Sequence, residues 1–256
     1  MSWARQIHLK SPAELQIMRE AGRINASVLA AVKEHLKPGV STADLNAAAE
    51  VVLRKHGCVS PFKGYGHPPF PTSITVSINQ ELVHGIPSKS RKLKNGDIVS
   101  IDCGTIYEGW VADSAFTAGV GQISAQAQEL LEVTEGALYA GIDKMRVGNR
   151  TGDVSAAIQN YAESRGFYLT REYTGHGVGK QMHEGPQVPN YGKPGSGMPL
   201  KPGMTIAIEP MVLVGTAETR VLPDQWTVVS ADGSLTAHFE HSVAVTEGEP
   251  LILTVP

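Results

Sequence analysis

Over the first fifty-odd residues the apolar and polar positions follow helical spacing. Leu15, Met18, Gly22, Asn25 and Leu29 fall on one side of a segment that opens with Ser11, Pro12 and Glu14, runs to about Leu36 and stops at Lys37-Pro38-Gly39. Ser11 with Glu14 three residues on is a capping box, and a proline at the first helical position gives up an N–H that the helix does not use. A second helix is predicted from Thr42 to about His56, with Leu45, Ala49, Val52 and Leu53 on one face and Gly57 behind it. Alternation then replaces the helical period. Ile74, Val76 and Ile78 predict a strand, and Ile98 to Asp102, a turn near Tyr107-Glu108-Gly109 and Val111 to Thr117 predict a hairpin. Helices return over about Ser124 to Met145 and Val154 to Arg165, and short strands follow to the C-terminus. The Gly/Pro-rich stretch from Gly185 to Gly203 is expected to be a loop over a site.

This order runs twice. Leu93-Lys94-Asn95-Gly96-Asp97-Ile98-Val99-Ser100-Ile101-Asp102 matches Leu200-Lys201-Pro202-Gly203-Met204-Thr205-Ile206-Ala207-Ile208-Glu209, 107 residues on (93 to 200), and each copy closes on an acid. Gly39 to Leu45 lines up with Gly148 to Val154, 109 residues on (39 to 148), and His56-Gly57 with Arg165-Gly166 at the same offset. A Leu-Lys-x-Gly turn before a strand is common by itself. Two matched blocks at nearly equal offsets predict an internal duplication, roughly 12–120 and 121–250, within one α+β domain spanning 1–256. Each half is two helices followed by strands, and the halves pack about a pseudo-twofold axis.

Composition narrows the class. With 256 residues, 41% hydrophobic and 18% charged, the chain has the make-up of an ordinary folded protein. Net charge is −3 and neither half carries a long Lys/Arg run, so neither direct nucleic-acid binding nor a membrane-surface patch is expected. The two cysteines, Cys58 and Cys103, are too few for a disulfide framework or a thiolate zinc site and fit a reducing compartment. No apolar run occurs in Met1 to Lys10, and no stretch reaches the roughly 18 consecutive apolar residues of a membrane span, so a cytoplasmic location is expected.

The duplication brings chemistry together. A carboxylate ends the first strand of each hairpin, Asp102 and Glu209, and each has an acidic follower, Asp113 and Glu240. Four carboxylates directed inward would repel and could not all stay ionised, so a cation is the physical solution. His176, in Thr174-Gly175-His176-Gly177-Val178-Gly179, adds one nitrogen donor between glycines that let backbone approach closely. A set of four carboxylates and one imidazole, with no thiolate, exceeds the needs of one tetrahedral zinc and suits two divalent ions. Such pairs share a water whose pKa falls toward about 7, which points to a hydrolase. Single strand-end acids are usually just solvated, but the apolar frames Ile98-Val99-Ser100-Ile101 and Thr205-Ile206-Ala207-Ile208 are those of buried strands.

Val83-His84-Gly85-Ile86-Pro87, Ile101-Asp102-Cys103-Gly104, Ala112-Asp113, Gly175-His176-Gly177-Val178-Gly179, Met182-His183-Glu184, Ile208-Glu209-Pro210-Met211 and Phe239-Glu240-His241 stand in order along the chain. Together they resemble the motifs of type I methionine aminopeptidases, from Ser11 to Pro250. Each motif alone is weak; seven in register are specific. Only 25 residues lie between His183 and Glu209, which leaves no room for the helical insertion of type II members and makes the short bacterial form the nearest match. Thr75, where many members carry cysteine, Met182, where an aromatic is common, and the loop Gly64-Tyr65-Gly66-His67-Pro68-Pro69-Phe70-Pro71 depart from the pattern.

The resemblance implies the pita-bread fold, with a curved antiparallel sheet between the two halves. It implies that Asp102 chelates one metal, Asp113 and Glu240 bridge both, and His176 and Glu209 complete the other. The ions would be cobalt, manganese, iron, zinc or nickel, and a bridging water or hydroxide would attack the scissile carbonyl. His183 is expected at that carbonyl, His84 near the substrate amide nitrogen, Glu209 as acceptor of the water's proton and Trp226 on the wall of the methionine pocket. His67 is expected at the pocket rim and Cys103 in the packing. The implied substrates are nascent polypeptide N-termini close to the ribosome, with a small residue after methionine, and the implied state is a monomer. X-Pro dipeptidases, a metal-free creatinase-like hydrolase and a binding protein that has lost its metals are the competing readings.

Overall fold

The computed structural model describes residues 7–256; the part of the N-terminal reading that falls on residues 1–6 lies outside them. The first half holds α1 (Pro12–Glu34), α2 (Thr42–Lys55), β1 (Ile74–Ile78), β2 (Glu81–Val83), β3 (Ile98–Tyr107) and β4 (Trp110–Gly119). The second begins with α3 (Ala125–Ile142), α4 (Thr151–Glu163), β5 (Tyr168–Leu169), β6 (Thr174–Gly177) and β7 (Glu184–Pro189). It continues with β8 (Thr205–Ile208), β9 (Met211–Leu213), β10 (Thr219–Val221), β11 (Val228–Ser230), β12 (Thr236–His238), β13 (Glu240–Ala244) and β14 (Leu251–Ile252).

Local chemistry sets the helix ends. Both Ser11 and Ser41 form complete capping boxes, with Glu14 and Asp44 reaching back to the cap N–H groups. The expected fourth helix starts three residues earlier than its apolar period suggested, because Asp153 accepts from the Arg150 N–H and opens the helix at Thr151. The stretch 185–203 is not wholly a loop. It contains most of β7, which pairs with β6 at the end of the main sheet, where prolines at 186 and 189 are tolerated because an edge strand need not donate on both sides.

The main sheet is antiparallel, and its long path runs β1-β3-β4-β13-β8-β6-β7. Read from the β4–β13 junction outward, the first half contributes β4, β3 and β1 and the second β13, β8, β6 and β7. Alternation decides what each face carries. Val99, Ile101 and Cys103 on β3 point into a cluster with Val28, Val32, Leu45 and Leu53 of α1 and α2. Ile206 and Ile208 on β8 and Val243 on β13 point into a second cluster with Leu130, Leu138, Val154 and Ile158 of α3 and α4. Each helix pair therefore covers its own half of one sheet face, and the intervening residues, Asp102, Gly104, Ala207 and Ser242, face the other way.

Asn25 ties the first helix to the site. Fully buried on α1, its amide donates to the carbonyls of Cys103 and Ala112, which sit beside Asp102 and Asp113. Two smaller sheets, β10-β11-β2 and β12-β9-β5, bring in the remaining site residues. Among the described residues no helix is long and apolar enough to cross a membrane.

Candidate metal centre and its cavity

Strand register puts the candidate ligands on one face. Asp102 lies opposite Ala115, Asp113 opposite Gly104 and Glu240 opposite Ala115, so the three acids occupy neighbouring positions on β3, β4 and β13. His176 pairs with Ala207, two residues before Glu209, and Ala207 pairs with Ser242, two residues after Glu240. Period-two alternation then turns His176, Glu209 and Glu240 to the same side. Glycine is required beside them: a Cβ on Gly104 would come within 2.5 Å of Pro61, and one on Gly177 within 2.0 Å of the Gly185 carbonyl.

The side chains converge. One ligand atom each of Asp113, His176 and Glu240 lies within 4.8 Å of the others, and His176 Nε2 stands 3.4 Å from Glu209 Oε1 and 3.9 Å from Asp113 Oδ2. The Asp102 carboxyl adjoins that of Asp113, each perturbing the other. All five residues line one cavity of about 260 Å³, together with His84, His183 and Trp226.

Three observations test whether these residues fit divalent ions. First, His176 Nδ1 donates to the Gly177 carbonyl at 2.9 Å, so Nε2 carries the lone pair, and it points at carboxylate oxygens that are also acceptors. Acceptors facing acceptors in a buried space need a cation between them. Second, Asp102 Oδ1, Asp113 Oδ1 and Glu240 Oε1 are buried without a hydrogen-bond partner. Third, burial and then neighbouring carboxylates push Asp102 and Glu240 well above the usual range; Glu209 is raised the same way by burial and by Asp113. Asp113 is pushed up to about 7, chiefly by burial. Burial and then His183 hold His176 down to about 3, leaving it neutral and able to ligate. An all-oxygen and imidazole donor set of this kind suits divalent ions of borderline or hard character.

Around the ligands the cavity has two chemical sides. His84 follows β2 in a left-handed conformation, φ 61°, a strain of about 1–3 kcal/mol that an apolar scaffold must hold in place. Burial, then His183, lowers its pKa to about 4. The His183 ring stands 4.4 Å from that of His176, its Nδ1 is 2.7 Å from the Tyr65 hydroxyl, and burial lowers its pKa. The apolar side is built by Phe62, Tyr65, Phe70, Tyr173, Met182 and Trp226. Trp226 is fixed by an edge contact with Phe70 at 5.2 Å and by donating Nε1 to the Pro68 carbonyl at 3.1 Å.

All the catalytic, metal-ligand and pocket-wall candidates therefore reach this cavity, and so do Thr75 and Met182. His67 does not: it is exposed and absent from the lining, while Tyr65 and Phe70 on either side of it take the rim. Beside it, Gly66 lies so close to the Trp226 ring that an added Cβ would come within 2.5 Å of it. Cys103 packs under α1, away from the acids. Sequence reasoning missed His238, a buried imidazole 3.7 Å from Glu209, and Lys10, whose ammonium meets Glu184 beside His183. A period-two count back from Glu240 is the signal that could have found His238.

The sequence matches the profile of metallopeptidase family M24 over residues 16–247. It is 52% identical over 245 residues to methionine aminopeptidase 1 of Bacillus subtilis, covering 96% of this chain and 98% of that one. The methionine aminopeptidase of Clostridium acetobutylicum is 49% identical over 249 residues, covering 97% and 99%. Among solved structures, the crystal structure of methionine aminopeptidase from Thermotoga maritima superposes with a TM-score of 0.96 at 43% identity, covering 98% of this chain and all of that one. With its curled antiparallel sheet, its helices on one face and its acid-rich cavity, the chain belongs to metallopeptidase family M24 and, within it, to the methionine aminopeptidases of the bacterial type I kind.

Proposed function

We propose that the chain releases the N-terminal methionine of nascent polypeptides in the cytoplasm, as a monomer working near the ribosome, and prefers a small residue after methionine. The observation that carries this reading is the convergence of Asp102, Asp113, His176, Glu209 and Glu240 with His84, His183 and Trp226 on one cavity. The whole chain acts as a single catalytic domain built from two copies, roughly 12–120 and 121–250, a reading supported by the two helix pairs, each packed on its own part of the main sheet.

Two divalent ions, of manganese, cobalt, iron, zinc or nickel, fit the donor set. Asp102, Asp113, His176, Glu209 and Glu240 would hold them, with Asp113 and Glu240 the central pair of the set. Bound there, the ions supply a water nucleophile activated at neutral pH and neutralise the carboxylates.

The chain's own groups do the rest. The methionine side chain lies against Trp226, Phe70 and Tyr65, an apolar and aromatic wall that suits a polarisable thioether. With the Tyr65 hydroxyl donating to Nδ1, neutral His183 keeps its proton on Nε2 and donates it as a hydrogen bond to the scissile carbonyl. Glu209, its basicity raised by burial, accepts a proton from the attacking water. His84, neutral at pH 7, passes a proton toward the departing amine. A small residue after methionine is preferred because a bulky one would crowd the ligands at the mouth.

The test is methionine release from Met-Ala-Ser by chelator-stripped protein with manganese or cobalt restored, beside Leu-Ala-Ser and Gly-Pro. Metal-dependent release from the methionine peptide alone is expected. Cleavage of Gly-Pro would establish a dipeptidase instead, and no cleavage with any metal would leave a binding protein.

A further inference from the structure

His238 is the one buried histidine whose role the reaction leaves unassigned. It ends β12, is 1% exposed, and has no hydrogen-bond partner at either ring nitrogen among the described residues. Its backbone is held hard: the Thr117 hydroxyl donates to the His238 carbonyl at 2.8 Å and accepts from its N–H at 2.9 Å, so the ring's position is set by the scaffold. Between β12 and β13 the chain passes from a small sheet to the main one, with only Phe239 in between. That step aims the imidazole at the back of the acid cluster. Nε2 lies 3.7 Å from Glu209 Oε2 and 3.9 Å from Glu240 Oε2.

A buried polar atom with no partner destabilises the fold, so an imidazole orphaned at both nitrogens asks for a compensating function. Its surroundings say which. A neutral imidazole carries a proton on one nitrogen and a lone pair on the other. With the proton on Nε2, the ring faces two carboxylates that can only accept. Glu209 Oε2 stands roughly half an ångström beyond hydrogen-bond length, within reach of a small carboxylate rotation. His176 approaches the other oxygen of Glu209, Oε1, so the two imidazoles flank one carboxylate from opposite sides.

We infer that His238 is a positioning residue whose Nε2–H holds the rear oxygens of Glu209 and Glu240 and so presents their front oxygens to divalent ions. Partners beyond the ligands set ligand orientation and metal affinity in this way. The ring does not touch substrate and is absent from the cavity lining. The inference rests on the four acids and one imidazole acting as a metal centre.

Calorimetric titration of Co²⁺ into chelator-stripped protein, with the visible spectrum of the bound ion, tests it on wild type, His238→Gln and His238→Leu. Glutamine keeps an N–H donor and leucine does not. The expected result is roughly 10- to 100-fold weaker Co²⁺ binding and an altered spectrum for H238L, and near-wild-type affinity and spectrum for H238Q. Thermal melts of the metal-free proteins confirm that both variants are folded. Wild-type affinity in H238L overturns the inference, and so does an H238Q as weak as H238L. A wild-type protein that binds no Co²⁺ would sink the metal-centre reading itself, an outcome distinct from either.

Discussion

Lys10 Nζ stands 2.7 Å from Glu184 Oε2, and the two side chains are only 2% and 12% exposed. The pair joins the segment before α1 to the residue that follows His183. Glu184 Oε1 also accepts from the Gln181 N–H, and the Lys10 N–H donates to the Gly203 carbonyl, so one ion pair secures the loop bearing Met182 and His183. Burial lowers the Lys10 pKa more than Glu184 raises it. Lys10→Met leaves a buried carboxylate unpaired and is expected to cost about 3–5 kcal/mol in denaturant melts. Adding Glu184→Met should return most of that loss. A single variant as stable as wild type would mean the pair does not organise the loop.

Asp113→Asn should separate stability from metal binding. The amide keeps the shape but removes one charge from the cluster whose crowding raises its neighbours. Near neutral pH the metal-free protein should gain roughly 1–4 kcal/mol, because a carboxyl pushed from 3.8 to about 7 is a cost to the ionised fold. Metal affinity should fall by at least about 100-fold, the upper range for partners more remote than a direct ligand. Calorimetry and melts on the same samples check both; unchanged metal affinity would remove Asp113 from the ligand set.

The metal-free protein should lose stability as pH rises toward and through about 7. A carboxyl whose folded pKa lies above its unfolded 3.8 stabilises fully below 3.8, and that contribution is gone once pH passes the folded value, about 7 for Asp113. The buried histidines, lowered to between about 3 and 4, act oppositely, but their contribution is complete above their ordinary 6.5. Melts between roughly pH 6.5 and 8 isolate the carboxylates, Asp113 among them. With Mn²⁺ bound the decline should flatten, and binding should release protons. A metal-free melting temperature that climbs over this interval would contradict the account.

Tyr65→Phe deletes the hydroxyl at His183 Nδ1 and leaves the aromatic wall. A hydrogen bond of ordinary strength sets the effect at about 2- to 10-fold. It should appear in kcat on Met-Ala-Ser, with KM and Co²⁺ affinity near wild type. A change confined to KM would make Tyr65 a pocket residue only.

How much was legible follows from the range of each interaction. The caps at Ser11 and Ser41 and the β3–β4 hairpin are written within a few residues, and the structure holds them where the pattern puts them, although Asp102, expected to end its strand, stands in the middle of β3 because pairing with β4 continues to Tyr107. β7 was hidden because Gly185, Pro186 and Pro189 argue against a strand everywhere except at a sheet edge, and edges are assigned only when strands pair.

By itself the sequence determined the helices and named the five metal-ligand candidates, since periodicity, caps and short motifs act locally. Tertiary structure alone decided what Lys10 meets and what lies behind Glu209. Those depend on the placement of the N-terminal segment against Glu184 and of β12 beside the main sheet. Such contacts join residues more than 150 positions apart or cross between sheets, and no local pattern encodes a distance in space.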